Sequence, residues 1–178
     1  TMLALLSDDE RSRYDALGFA ADKRDYVTAH ALLRLTLGAC LQMSPDRLRF
    51  GADDRGKPML LLPAGKRAPS FSLSHARGLV TCAIASEGVV GVDAEPIDAS
   101  FDTAVLARRF FAADEAETLD ACSHDERTTR FFKLWTLKEA LLKALGTGLG
   151  LPLNCVSFDP RRDGIRVTEH PPLRPREW

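Results

Sequence analysis

The chain has 178 residues, 24 Lys plus Arg against 25 Asp plus Glu, and a formal net charge of −1 at pH 7. That length supports one sizeable core or two small ones, and the balanced charge advertises neither a nucleic-acid nor a membrane partner. No apolar run approaches the ~20 residues needed to span a bilayer, no signal peptide is read, and the scattered Cys40, Cys82, Cys122 and Cys155 lack metal-ligand spacing, so reduced core cysteines of a cytoplasmic protein are expected.

In chain order, a helix is predicted over 7–17, with Ser7 as N-cap and Glu10 completing a capping box. A longer helix over about 22–41 carries Lys23-Arg24-Asp25 and His30-Ala31-Leu32-Leu33-Arg34. Arg34 has two readings there, a phosphate ligand or the partner of a structural acid. His30, His124 and His170 belong to no constellation. After a turn at Gly56-Lys57-Pro58, an alternating strand is predicted over 70–75, with Phe71 and Leu73 facing the core and Ser74-His75 at its end. Residues 79–85 read as its antiparallel neighbour. Past a turn at Glu87-Gly88, Val89-Val90-Gly91-Val92-Asp93-Ala94-Glu95 reads as a buried strand over 89–95, ended by Pro96. Side chains alternate on a strand, which sends Asp93 and Glu95 from one face, ~7 Å apart. Such a pair either ends in solvent or shares a cation.

A loop over 96–101 leads to helices predicted over 102–111, 113–121 and 125–145, the last with Gly146 as C-cap. On one helical face the 3.6-residue period cannot bury all of Val105, Leu106, Phe110 and Phe111. Either an apolar patch with basic neighbours Arg108 and Arg109 stays exposed, or these residues close a second core. A hairpin of Val156-Ser157-Phe158 and Ile165-Arg166-Val167 is predicted about Asp163-Gly164. In the long helix, Trp135, Glu139 and Lys143 lie four apart and stack along one stripe, ~6 Å between neighbours. Phe131, Phe132, Leu134, Leu141, Leu142 and Leu145 surround that stripe with hydrocarbon, so Glu139 needs a partner. Two are available: Lys143 as an i, i+4 ion pair, or a hard cation of the Mg²⁺ kind shared with Asp93 and Glu95. Trp135 is expected to be a core anchor and Lys138 to lie on a solvated face.

Taken in order, Ser74-His75-x-x-Gly78, Gly91-Val92-Asp93-x-Glu95 and Trp135-x-x-Lys138-Glu139-Ala140-x-x-Lys143 resemble the 4′-phosphopantetheinyl transferases, in their single-chain, Sfp-type group. The resemblance covers roughly residues 7 to 160 and takes in Gly56-Lys57-Pro58 and the basic long helix. Ala94 replaces a larger aliphatic usual in the family and is read as a packing change. The resemblance implies an α+β fold of two similar halves, 1–95 and 96–178, related by a pseudo-twofold axis. It also implies a strand before Met2 and another after Trp178, and Thr1-Met2 is not expected to be the native start.

The implied reaction moves the phosphopantetheine arm of coenzyme A to a serine of an apo acyl or peptidyl carrier protein and releases 3′,5′-ADP. Asp93, Glu95 and Glu139 would hold Mg²⁺, with Mn²⁺ as an alternative, and Glu139 would act as base directly or through a bound water. Lys143 and His75 would each hold a phosphate oxygen, and Arg24 and Lys57 would bind the 3′-phosphate and adenosine end. Ser74 is either a phosphate donor or a structural turn hydroxyl. The implied partners are coenzyme A and a carrier protein docking near residues 96–111, on a cytoplasmic monomer. Two rivals use the same residues: a non-catalytic coenzyme A-binding module and a Mg²⁺-dependent phosphohydrolase.

Overall fold

The computed structural model describes residues 1–76, 78–159 and 167–169, the last three by their backbone. It is an α+β arrangement that divides into two compact units. One holds Thr1–Glu95 with Glu139–Gly146, and the other holds Pro96–Lys138 with Thr147–Trp178.

The first unit opens with α1 (Asp8–Ala16), started by the expected capping box: Ser7 Oγ accepts from the Glu10 N–H at 3.3 Å, and Glu10 Oε2 accepts from the Ser7 N–H at 2.8 Å. Glu10 does more than cap. Its Oε2 also accepts from Arg34 Nε at 2.8 Å, and its Oε1 lies 2.9 Å from His30 Nδ1, both residues on α2 (Ala20–Leu41). Arg34 is 1% exposed and donates further to the carbonyls of Pro45 and Leu48. Of its two readings, pairing with a structural acid is the one found, because a buried guanidinium needs its charge and its donors satisfied together.

Leu33 and Leu37 of α2 form a core with Leu48, Leu60 and Phe71. Leu60 belongs to a hairpin that the strand pattern did not reveal, β1 (Arg49–Ala52) and β2 (Pro58–Leu61), in antiparallel register Phe50↔Leu60. Each arm is four residues long, too short for alternation to declare itself. Phe71 belongs to β3 (Ser70–Ala76), antiparallel to β4 (Leu79–Ala85) with Ser74 opposite Thr81. The alternation places Phe71 in the core, but Ser72 and Ser74 on the opposite face are buried as well. Residues 89–95 are not a strand, contrary to the sequence pattern. The N–H groups of Val92 and Ala94 donate to Ser72 Oγ at 3.1 Å and Ser74 Oγ at 3.3 Å, so serine side chains take the place of a backbone ladder.

In the second unit, α3 (Thr103–Phe110) is capped by Asp102, whose carboxylate accepts from the Val105 N–H. It is followed by α4 (Ala113–Asp120) and α5 (His124–Leu145), which continues from this unit into the first. Phe111, Phe131 and Trp135 form a ring cluster with centroids 5.0–6.3 Å apart, and Trp135 is the anchor its spacing suggested. Lys138 corrects the sequence reading. It is not solvated but 1% exposed, paired with the equally buried Glu115 at 2.7 Å and donating to the carbonyls of Leu153 and Val156. Helical phase alone cannot show that another segment will cover a given face. The closing hairpin pairs β5 (Ser157–Phe158) with β6 (Val167–Glu169), two residues later than predicted for its second arm. Its expected turn at Asp163-Gly164, with Ile165 and Arg166, lies outside the described residues. Cys40 is exposed and the other cysteines half-buried, so none is a fully buried core residue.

Candidate active site

One side chain organises the acidic segment. Lys143 Nζ, from the last turns of α5, lies 2.6 Å from Asp93 Oδ1 and 2.9 Å from Ser74 Oγ. Ser74 Oγ in turn donates to Asp93 Oδ1 at 2.9 Å while accepting from the Ala94 N–H. The Asp93 side chain is 4% exposed and that of Lys143 33%, so the pair sits at the floor of an accessible position. Lys143 thus joins Asp93, and the i, i+4 reading with Glu139 is not the contact made.

Gly91 is what lets this happen. A Cβ at that position would stand 1.8 Å from the Ala140 carbonyl oxygen and 2.7 Å from the Ala144 nitrogen. The acidic segment therefore lies directly against the backbone of α5, an approach only a residue without a side chain permits. Sequence reasoning took Gly91 as part of a strand; a glycine inside an apolar β-branched run was the available signal.

Three carboxylates feel one another here. Burial, and after it the charge of Asp93, pushes the Glu139 carboxyl above its ordinary value, although Lys143 pulls it back. Glu95 is raised for the same reasons in the same order. Asp93 Oδ2 is buried and has no hydrogen-bond partner among the described residues. An orphaned carboxylate oxygen beside two acids reluctant to ionise is a donor set suited to a hard, oxygen-loving cation. Among the described residues, no three His, Cys, Asp or Glu side chains are drawn together as ligands, and the Lys143 ammonium supplies the positive charge at Asp93.

The other expected residues are more dispersed. His75 is exposed at the end of β3, opposite Val80, and Glu95 is exposed where the acidic segment ends. Arg24 is exposed on the first turns of α2. Lys57 is half-buried and donates to the Ala144 carbonyl at 2.7 Å. Past Glu95, in the other unit, Ile97, Phe101 and Val105 are 61%, 50% and 53% exposed, whereas Phe111 is buried in the ring cluster. The apolar residues around α3 therefore split between a surface patch and a core. Arg109 lies over the Phe110 ring, and Arg108 pairs with Asp120.

The fold and these motifs define a single class: the chain belongs to the 4′-phosphopantetheinyl transferase superfamily, whose family model matches residues 89–178. A second model, of the N-terminal part of 4′-phosphopantetheinyl transferases, matches residues 1–88. Among curated relatives, the chain is 34% identical over 148 residues to the 4′-phosphopantetheinyl transferase HetI of Nostoc sp., covering 83% of this chain and 62% of that protein. It is 30% identical over 173 residues to the 4′-phosphopantetheinyl transferase Sfp of Bacillus subtilis, covering 95% and 73%. It is 27% identical over 159 residues to the L-aminoadipate-semialdehyde dehydrogenase-phosphopantetheinyl transferase of Xenopus laevis, covering 85% and 53%. The chain thus spans less than two thirds of the cyanobacterial relative it matches.

Proposed function

We propose that the protein transfers the 4′-phosphopantetheine arm of coenzyme A to a serine of an apo carrier protein. The observation that carries this reading is the Lys143–Asp93–Ser74 cluster, set beside a Glu139 carboxyl held above its ordinary value. In the reaction the serine oxygen bonds to the β-phosphorus of coenzyme A, the pyrophosphate bridge breaks, and 3′,5′-ADP leaves. Catalysis of this kind is mostly positioning and charge stabilisation.

Glu139 accepts the serine proton, a role suited to a carboxyl whose affinity for protons is raised by its surroundings. Lys143 and His75 each donate to a phosphate oxygen through charge-assisted bonds. Ser74 holds both Lys143 and Asp93 in register. Arg24 binds the 3′-phosphate end of the nucleotide; Lys57, whose ammonium is already donated to Ala144, is not assigned there. Asp93, Glu95 and Glu139 would hold Mg²⁺, or Mn²⁺, which would act as Lewis acid and template toward the pyrophosphate.

The exposed Ile97, Phe101 and Val105, with Arg109 beside them, form the surface assigned to the carrier. Carrier proteins of this class offer an acidic helix beside the modified serine, which an apolar patch with basic neighbours complements. No helix among the described residues is long and apolar enough to cross a membrane, and we take the protein to act as a cytoplasmic monomer. Incubation with coenzyme A, Mg²⁺ and an apo carrier protein tests the reading. Carrier mass rising by one phosphopantetheine supports it. Release of free phosphate instead points to a phosphohydrolase, and no chemical change at all points to a coenzyme A-binding module.

A further inference from the structure

Lys57 faces the end of the helix that carries Glu139 and Lys143. Its ammonium donates to the carbonyl of Ala144 at 2.7 Å, one residue beyond Lys143. The last carbonyls of a helix have no partner within it and carry the negative end of its dipole, so a cation there is favoured. The helix closes on Gly146, which has φ +64. A side chain at Gly146 would come within 3.1 Å of Lys57 Cδ and 3.4 Å of its Cβ. The stem of Lys57 thus fills the space beside the helix end while its head holds the carbonyl.

Lys57 is itself fixed. Asp53 Oδ1 accepts from the Lys57 N–H at 2.8 Å and the Arg55 N–H at 2.9 Å, and the Asp53 N–H donates to the Lys57 carbonyl at 2.9 Å. The turn between β1 and β2 is therefore a closed ring of hydrogen bonds that aims one lysine. A long side chain anchored at its backbone, packed along its stem and committed at its head is built to hold a neighbour.

We propose that Lys57 is a positioning residue: it clamps the C-terminal turn of α5 so that Lys143 meets Asp93 and Ser74, and it acts on the chemistry through that helix, without binding coenzyme A. The proposal deepens the transferase reading and rests on it for its kinetic half. Its structural half stands alone.

The test is Lys57→Met, which keeps the stem and removes the cation. Turnover should fall ~10-fold, since sub-ångström to ångström misplacement of a catalytic group carries costs of up to ~100-fold. The fall should be equal with coenzyme A and with dephospho-coenzyme A, which lacks the 3′-phosphate, and KM should change little. Hydrogen exchange at the amides of Leu145 and Gly146 should quicken ~10-fold in the free protein, as expected of a helix end that frays. Asp53→Ala, which leaves the lysine in place but frees its turn, should show a weaker form of both effects and stands in if Lys57→Met does not fold. A raised KM for coenzyme A alone, with lost preference over dephospho-coenzyme A, would make Lys57 a phosphate ligand and overturn the proposal. Unchanged amide exchange in both variants overturns it too. The exchange measurement needs no turnover, so it decides the clamp even if the wild-type protein transfers nothing.

Discussion

Replacing Gly91 by alanine should separate the acidic segment from the helix it rests on. The added Cβ would sit 1.8 Å from the Ala140 carbonyl oxygen, where ordinary contact begins at 3.4 Å, so segment and helix must part by about 1.6 Å. The obstacle is backbone, which cannot swing aside as a side-chain tip can. Asp93 lies two residues further on, and its 2.6 Å contact with Lys143 would stretch past hydrogen-bonding range. A misplacement of that size at a reacting centre costs ~100-fold in rate, and overpacking costs ~1–3 kcal/mol of stability. For a chain of this length, that loss corresponds to a fall in Tm of ~3–10 °C. Phosphopantetheine transfer followed by carrier mass, with circular-dichroism melting beside it, measures both. Wild-type turnover in a Gly91→Ala protein with an unchanged Tm would refute the close approach and the site geometry built on it.

Glu139→Gln should lower kcat at least ~100-fold without lowering Tm at neutral pH, because the fold already disfavours its ionised form; full activity in the purified variant would remove Glu139 from the site. Glu10 should set the acid limit of stability. Burial alone would raise it, but hydrogen bonds from His30, Arg34 and the Ser7 N–H, with the Arg34 charge, bring it from 4.5 down to about 2. A depressed carboxyl stabilises the fold above its unfolded value and loses that contribution as pH falls from 4.5 toward 2, a difference worth about 3 kcal/mol. Denaturant melts across that window should show the loss in the wild type and its absence in Glu10→Gln, which is destabilised at neutral pH. Arg109→Glu should raise KM for the carrier, most strongly at low salt, and leave KM for coenzyme A unchanged; salt-independent wild-type carrier kinetics would move the docking surface elsewhere.

The sequence alone determined what depends on short spacing. The capping box at Ser7 and Glu10, the pitch that groups Trp135, Glu139 and Lys143, and the helix stop at Gly146 are each set within a few residues, where backbone geometry is nearly fixed. The motif order carried the family and with it the acids at 93, 95 and 139. What remained open was which partner each charged group takes, because that depends on segments far apart in the chain. Lys138 and Lys143 carry the same side chain five residues apart on one helix. One is buried on Glu115 and the carbonyls of Leu153 and Val156, and the other meets Asp93 at a partly exposed position. The same holds for residues 89–95, whose composition reads as a strand yet whose N–H groups pair with serine hydroxyls from β3. Hydrophobic periodicity reports how much water a segment avoids, and it is silent on whether a backbone ladder, a hydroxyl or a helix end satisfies its polar groups. Only the tertiary structure, by bringing Gly91 against Ala140 and Lys57 against Ala144, decided that.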